Sequence, residues 1–161
     1  MKTLRLLLGD QLNPEHSWFK TVREDVVYIM AEMRQETDYA PHHIQKVVAF
    51  FAAMRNFAKE RTADGHRVMY FKLTDPKNPQ NLPELIKQRL DKEVCDRFEY
   101  LLPDEFRLDQ QLKDICEELQ IPSGAYDTEH FYTTRDALEL HFQGKKQLVM
   151  ESFYRMMRRK H

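Results

Sequence analysis

Short apolar runs alternate with amphipathic helical patterns along this chain, and that alternation restricts its fold more than any other feature. Four runs rich in aliphatic, β-branched or aromatic residues are typical of strands, at residues 4–8, 26–30, 68–71 and 98–102, and Tyr126 marks a short fifth strand. The first run is nearly continuous, as in a strand covered on both faces. We therefore expect it at the centre of a sheet.

Helical patterns separate these strands. The clearest begins near Pro41, which suits a first helical turn, and places apolar residues three and four apart from Ile44 to Ala58. Gly65 ends the connection to the third strand, and Asn81 begins a further helix. Alternating strands and helices predict an α/β fold, a Rossmann-like three-layer domain with a five-stranded parallel sheet and helices on both faces.

The pattern changes after residue 133, so we predict two parts, an α/β domain over 1–133 and a helical extension over 134–161. Thr134 is expected to cap a helix that Gly144 breaks, and a basic amphipathic segment ends the chain. That segment carries no stop signal, which indicates the start of a linker to a further region.

The composition argues against several classes of protein. A net charge of −1 with 42% hydrophobic and 32% charged residues is typical of a soluble globular domain and argues against a dedicated nucleic-acid binder, so any DNA contact must be local. No run reaches the ~20 apolar residues of a membrane span, and we read no signal peptide. Cys95 and Cys116 stand far apart, which favours reduced thiols in a cytoplasmic protein. Two cysteines cannot hold an iron–sulfur cluster alone.

In an open α/β sheet, ligands bind beyond the carboxyl ends of the strands. The first strand is followed there by Gly9, where backbone can approach a ligand closely, by Asp10, an acceptor, and by Gln11, both donor and acceptor. Capping of the following turn explains Asp10 equally well.

The second loop, residues 31–43, offers further ligand contacts. Tyr39 can stack on a planar ligand, and His42 and His43 open the longest helix. Successive helical residues diverge by about 100°, so only one histidine can face a small site. Phe50 is most simply a core residue, but its position two turns after His42 also suits a pocket wall.

The sequence gives little support for phosphate binding, nucleophilic catalysis, zinc binding or acid–base catalysis. The chain has no GxGxxG or P-loop phosphate cradle, no GxSxG nucleophile elbow and no HExxH zinc motif, so we predict no metal site. Glu32 and Glu36 form a conceivable acid–base pair, although two solvated glutamates are the more common explanation.

Three motifs in order resemble the deoxyribodipyrimidine photolyase-related proteins, the iron–sulfur bacterial cryptochromes and photolyases. They are LRLLLGDQL at 4–12, YAPHH at 39–43 with AMRNFA at 53–58, and MESFYRMMRRK at 150–160. The resemblance spans almost the whole chain and implies the amino-terminal domain of a longer protein. Its missing catalytic domain would hold FAD, a 4Fe-4S cluster and the DNA lesion pocket, and would act as a light-driven (6-4) photolyase or a photoreceptor.

The resemblance also implies an antenna chromophore, 6,7-dimethyl-8-ribityllumazine, which absorbs light and passes excitation to the flavin. The residues carried over by motif are Gly9, Asp10, Gln11, Leu12, Glu36, Tyr39 and His42 as contacts, with Ala31 and Phe50 as walls. The fragment itself is then not expected to be catalytic. Its expected partners are its own catalytic domain and, through the full-length protein, damaged DNA, with no membrane. The alternative is a stand-alone Rossmann-like module that binds a small molecule in signalling.

Overall fold

The computed structural model describes residues 1–38 and 40–161, apart from the side chain of Glu36. The chain forms two compact units, residues 1–129 and residues 130–161. The functional division predicted between residues 133 and 134 stays a prediction. In the described part of the chain, no helix has the length and apolar character needed to cross a membrane.

The first unit is built on one five-stranded sheet. Its strands are β1 Thr3–Leu6, β2 Val26–Ala31, β3 Val68–Phe71, β4 Arg97–Leu101 and β5 Ser123–Tyr126. They lie in the order β3-β2-β1-β4-β5, and every neighbouring pair is parallel. The predicted sheet is confirmed, with β1 at its centre, where Leu4 pairs with Val27 on one side and Phe98 on the other.

Helices connect the strands of this unit. They are a 3-10 helix Ser17–Phe19, α1 Gln35–Asp38, α2 Ile44–Ala63, α3 Leu82–Glu93 and α4 Phe106–Glu118. The helix predicted to begin near Pro41 is present, but Pro41 does not lie in its first turn, because His43 is extended and its ring Nδ1 accepts from the Gln45 amide at 3.2 Å. The predicted start of α3 is right, because Asn81 accepts from the Glu84 amide at 2.9 Å and so caps the helix.

Two apolar clusters cover the two faces of the sheet. One joins Leu4 and Leu6 of β1 to residues of α3 and α4, such as Leu85 and Leu112. The other joins Leu7 to the 3-10 helix and to the inner side of α2. Because successive residues of an extended chain point to opposite faces, the nearly continuous apolar run at 4–8, which extends past the end of β1, supplies both clusters.

The second unit contains α5 Ala137–Phe142 and α6 Met150–Lys160. The predicted cap at Thr134 is wrong, since α5 begins after Asp136. The predicted break at Gly144 is confirmed by its φ of +74°, which a residue with a side chain rarely adopts. The Phe153 ring of α6 lies 5.4 Å from that of His141 and 6.4 Å from that of Phe142, so α5 and α6 pack together.

Candidate functional site

The strand order places a ligand crevice at one definite point. The sheet runs β3-β2-β1 in one direction and β4-β5 in the other, so the order reverses between β1 and β4. In folds of this kind, ligands bind where the carboxyl ends of the strands diverge at this reversal. The loops that follow β1, β2 and β4 meet at this edge.

Gln11 fixes the loop after β1. Its side chain is 2% exposed, its Oε1 accepts from the Leu8 amide at 3.1 Å, and its Nε2 donates to the carbonyls of Leu101 and Leu102 at 3.1 and 3.3 Å. The amide group therefore bridges the end of β1 to the end of β4, across the reversal point. Three hydrogen bonds to backbone use most of its capacity, so its visible role is to hold this loop in place.

Gly9 and Phe50, two of the predicted site residues, lie in direct contact. A Cβ at Gly9 would lie 2.3 Å from Phe50 Cζ and 2.8 Å from Met54 Sδ, far closer than atoms pack. Glycine at this position therefore lets the Phe50 ring lie against the backbone of the loop. Phe50 also packs on the cluster beneath α2, as the core interpretation expects, and its role as a pocket wall stays a prediction.

The other predicted residues of this edge divide between surface and core. Asp10 is exposed, whereas Leu12 packs on the apolar cluster of the α2 face. Ala31 ends β2 at 9% exposure and packs on the opposite face, with the α3 and α4 cluster. The structure therefore does not bring Ala31 and Phe50 together on one face of the sheet, although both reach its carboxyl edge.

His42 and His43 both precede α2, so the helical divergence expected of them does not apply, but their surroundings differ. His43 is exposed and caps α2, while His42 is half-buried and its Nδ1 lies 3.3 Å from Lys46 Nζ. The side chain of Glu36 and the whole of Tyr39 lie outside the described residues. Their predicted roles as ligand contacts stay predictions.

Glu32 is the most highly connected carboxylate of the described residues at this edge, and sequence reasoning misjudged it. Its side chain is fully buried rather than solvated. The carboxylate accepts from Arg55 Nε and Nη2 at 2.6 and 2.9 Å, from Tyr70 Oη at 2.7 Å, and from the Leu73 amide at 2.8 Å. These bonds tie the loop after β2 to α2 and to the loop after β3.

The environment of Glu32 keeps it ionised. Burial acts to raise its pKa, but the hydrogen bonds from Arg55, Leu73 and Tyr70 outweigh burial and hold the pKa below its ordinary value. Burial and the adjacent carboxylate raise the pKa of Tyr70 far above its usual range, so the phenol stays protonated as a donor. A carboxylate held in this way serves as a fixed anchor rather than as a proton carrier.

Backbone contacts extend this anchor. The carbonyl of Glu32 accepts from Asn78 Nδ2 at 2.9 Å and from Gln80 Nε2 at 3.0 Å, and Gln80 Oε1 accepts from the Arg34 amide at 2.9 Å. Gln80 adopts a φ of 55°, which aims its side chain toward this loop at some conformational cost. Both loops selected from the sequence are thus held by buried amide or carboxylate side chains.

A second buried charge lies within the sheet itself. Arg5 of β1 is 8% exposed, donates to Glu99 Oε2 at 2.9 Å and to Tyr28 Oη at 3.1 Å, and its Cζ lies 4.4 Å from the Trp18 ring centroid. Glu99 also accepts from Arg97 and Tyr126. A lone arginine inside an apolar strand was the available signal, because a buried cation requires a partner.

The described residues contain no cluster of three or more histidines, cysteines or carboxylates able to hold a metal ion. The polar groups around the reversal point are hydrogen-bonding side chains. Such an edge is suited to binding an organic ligand by shape and hydrogen bonds.

Comparison with known proteins decides the family. The model of the family described as "Deoxyribodipyrimidine photo-lyase-related protein" matches residues 5–161. The chain belongs to this family. The resemblance inferred from the three motifs is confirmed.

One relative shows how this family member compares in length. A protein of Agrobacterium fabrum named "(6-4) photolyase" is 31% identical over 162 residues, which is 99% of this chain and 32% of that relative. The chain therefore spans about a third of the length of the curated relative that it matches.

Proposed function

We propose that this chain is the light-harvesting, amino-terminal domain of a photolyase or cryptochrome-like protein, and that it holds 6,7-dimethyl-8-ribityllumazine at the carboxyl edge of its sheet. When bound, this chromophore absorbs light, and its excitation passes to FAD in a further catalytic region that also carries a 4Fe-4S cluster and acts in DNA repair or photoreception. The family match over residues 5–161 carries the proposal, together with the threefold length of the (6-4) photolyase relative.

The contact between Gly9 and Phe50 supports a planar ligand. Without a Cβ at Gly9, the Phe50 ring lies against the backbone of the loop after β1 and provides a planar apolar side chain there. A flat wall fixes the orientation of a fused ring, and orientation governs the efficiency of excitation transfer. The residues present therefore fit the ring system in chemical type.

The polar residues suit the rest of such a ligand. The exposed carboxylate of Asp10 can accept from ring N–H or ribityl hydroxyl groups, and His42, half-buried before α2, can donate or accept. Glu36 and Tyr39 complete the proposed set. Gln11 and Leu12 support the loop, one through the ends of β1 and β4 and the other through the core.

The anchors at Gln11 and Glu32 add rigidity to this edge. Both are buried and hydrogen-bonded, so the loops that carry Asp10 and Ala31 are held before any ligand binds. Preorganised walls limit the motion of a bound ring and the access of water. That is what a light-harvesting site requires, and it needs no bond chemistry from the protein.

The test is retention of added 6,7-dimethyl-8-ribityllumazine by the purified chain after free ligand is removed. We expect fluorescence that co-elutes with the chain at close to one chromophore per molecule. If circular dichroism shows a folded α/β protein that retains none, the antenna proposal is overturned for this chain. A module that instead retains another small molecule would support a stand-alone signalling role.

Variants locate the site. Asp10→Ala and Tyr39→Phe should each lower retention, because each removes a polar group that is proposed to contact the chromophore. Asp91→Ala, at an exposed position of α3 away from this edge, is the matched control and should leave retention unchanged. Full retention by both site variants would place the chromophore elsewhere.

A further inference from the structure

A groove runs along α2, on the side toward the loop after β3, and shares no residue with the proposed antenna site. Seven of its eight lining residues belong to α2, and the eighth is Leu73. Its volume is about 530 Å³, within the range of about 300–1,000 Å³ that is typical of small-molecule sites. The groove therefore has the size of a ligand site and no role in the function proposed above.

The first half of α2 is apolar on more sides than the sheet can cover. Residues 47–54 contain no polar or charged side chain. Phe51 and Met54 are buried, whereas Val48 is 60% exposed and lines the groove. A helix that packs on a sheet needs only one apolar stripe. Val48 and exposed Ala52 therefore form an apolar wall that the fold itself does not require.

Two cations stand at the other end of the groove. Arg55 and Lys59 are one helical turn apart, so they lie on the same side of α2. The Arg55 guanidinium is fixed in place, because its Nε and Nη2 donate to buried Glu32 at 2.6 and 2.9 Å. These bonds use two of its five N–H donors, and its side chain is 51% exposed, so donors remain for a ligand.

The charge at this end of the groove is positive. Glu32 neutralises Arg55, and Lys59 adds one further positive charge. The adjacent acid, Glu60, accepts from Asn56 Nδ2 at 2.7 Å, and none of the described lining residues is acidic. An anionic group at this end therefore meets a guanidinium and an ammonium group without an opposing carboxylate in the lining.

The size and the charge of the groove favour a small amphiphilic ligand. A stable protein interface uses about 20–30 residues on each side, about three times the eight that line this groove. A polyanion needs a row of cations, whereas most of this lining is apolar. From Val48 to Arg55 the helix rises about 10 Å, which is the length of apolar surface that leads to the cations.

We propose that this groove binds a small aliphatic carboxylic acid. Its carboxylate would accept hydrogen bonds from Arg55 and Lys59, and its chain would lie against Val48, Ala52 and Leu73. This site is separate from the antenna site, and neither proposal depends on the other.

The test is a titration of the ¹⁵N-labelled chain with octanoate, followed through the backbone amide signals in two-dimensional NMR spectra. We expect saturable shift changes at residues 47–59 and at Leu73. Octan-1-ol keeps the chain but lacks the charge, and it should bind at least about tenfold more weakly, because charge-assisted hydrogen bonds are lost. Butyrate keeps the charge but lacks four methylene groups, and it should bind about 15-fold more weakly in a groove that covers about half of each group.

Matched variants locate the site. Ala52→Glu places a carboxylate in the groove at an exposed position and should weaken octanoate binding at least about tenfold. Ala53→Glu adds the same charge at an exposed position outside the lining, about 100° around the helix, and should change the affinity less than about twofold. Lys59→Gln should weaken binding about twofold to fivefold. Arg55 is retained, because its replacement would leave Glu32 without its charged partner.

Three results would overturn the proposal. They are equal affinities for octan-1-ol and octanoate, equal effects of Ala52→Glu and Ala53→Glu, and the absence of saturable shift changes at residues 47–59. The comparison of octanoate with octan-1-ol uses the wild-type chain, so it decides the question even if a variant fails to fold.

Discussion

Replacing Glu32 with glutamine tests whether the buried carboxylate holds the carboxyl edge of the sheet together. Glutamine keeps the shape of the side chain but removes its charge, and its amide NH2 group must face one of four donors that now converge on the carboxylate. At least one of these donors then loses its acceptor inside the protein.

The size of the loss follows from the exposure of the partners. Removing one member of a fully buried ion pair costs about 3–5 kcal/mol. Arg55 is 51% exposed and can recover hydrogen bonds from water, so the full penalty does not apply. The Leu73 amide and Tyr70 recover less, and an unsatisfied buried donor costs about 1–3 kcal/mol. We expect Glu32→Gln to lower the free energy of unfolding by about 2–4 kcal/mol.

Urea denaturation at pH 7 measures this change through the one tryptophan of the sequence, Trp18, which is 6% exposed within the first unit. Glu118→Gln is the matched control, because it removes the same charge from a carboxylate that is 62% exposed in an ion pair with Lys87. The control should cost less than about 1 kcal/mol. The stabilising role of Glu32 would be refuted if the Glu32→Gln and Glu118→Gln proteins had the same free energy of unfolding.

Lowering the pH tests independently whether the negative charge of Glu32 stabilises the folded chain. The folded pKa of Glu32 lies below its ordinary value of 4.5, so the unfolded chain binds the proton more readily. The stability from ionised Glu32 is present in full above pH 4.5 and is lost as pH falls through the folded pKa. The difference in the free energy of unfolding between wild type and Glu32→Gln should therefore become smaller below pH 4.5. A difference that does not change with pH would show that it does not arise from the charge of Glu32.

Two further substitutions test the loop after β1. Gly9→Ala should lower the free energy of unfolding by about 1–3 kcal/mol, because the added methyl group overpacks against Phe50. Adding Phe50→Leu should restore at least half of this loss. If the double variant restores nothing, the contact with Phe50 is not the cause. Gln11→Ala should cost about 1–3 kcal/mol of stability, because the Leu8 amide and the carbonyls of Leu101 and Leu102 lose their partner. Gln11→Glu should cost more, because it places a carboxylate against two carbonyl oxygens. If urea denaturation gives the reverse order, the bridging role of Gln11 is contradicted.

The local pattern of apolar residues was sufficient to predict most of the strands and helices. Nearly continuous apolar runs at β1 and β2 predicted strands buried on both faces, because a covered strand exposes neither side to water. The wrong start of α2 shows the limit of such rules. Pro41 is compatible with a first helical turn, but the ring of His43 accepts from the Gln45 amide and caps the helix, which therefore begins at Ile44.

Sequence reasoning also selected the loops after β1 and β2, because the carboxyl edge of a parallel sheet collects ligand contacts whatever the strand order. It did not separate the residues that hold those loops from residues that remain accessible. Gln11 and Asp10 are neighbours with equally polar side chains, yet one bridges β1 to β4 and the other is exposed.

The sequence by itself determined the strand–helix alternation, the central position of β1 and, through three motifs, the family. Only the tertiary structure decided the state of Glu32, Arg5 and Gln11. Apart from the Leu8 amide, which lies three residues from Gln11, their hydrogen-bond partners lie 23 to 94 residues away along the chain, and no local spacing records which donor will reach a carboxylate. Whether a charged side chain is solvated or buried depends on those distant partners, because a buried charge is stable only when they surround it.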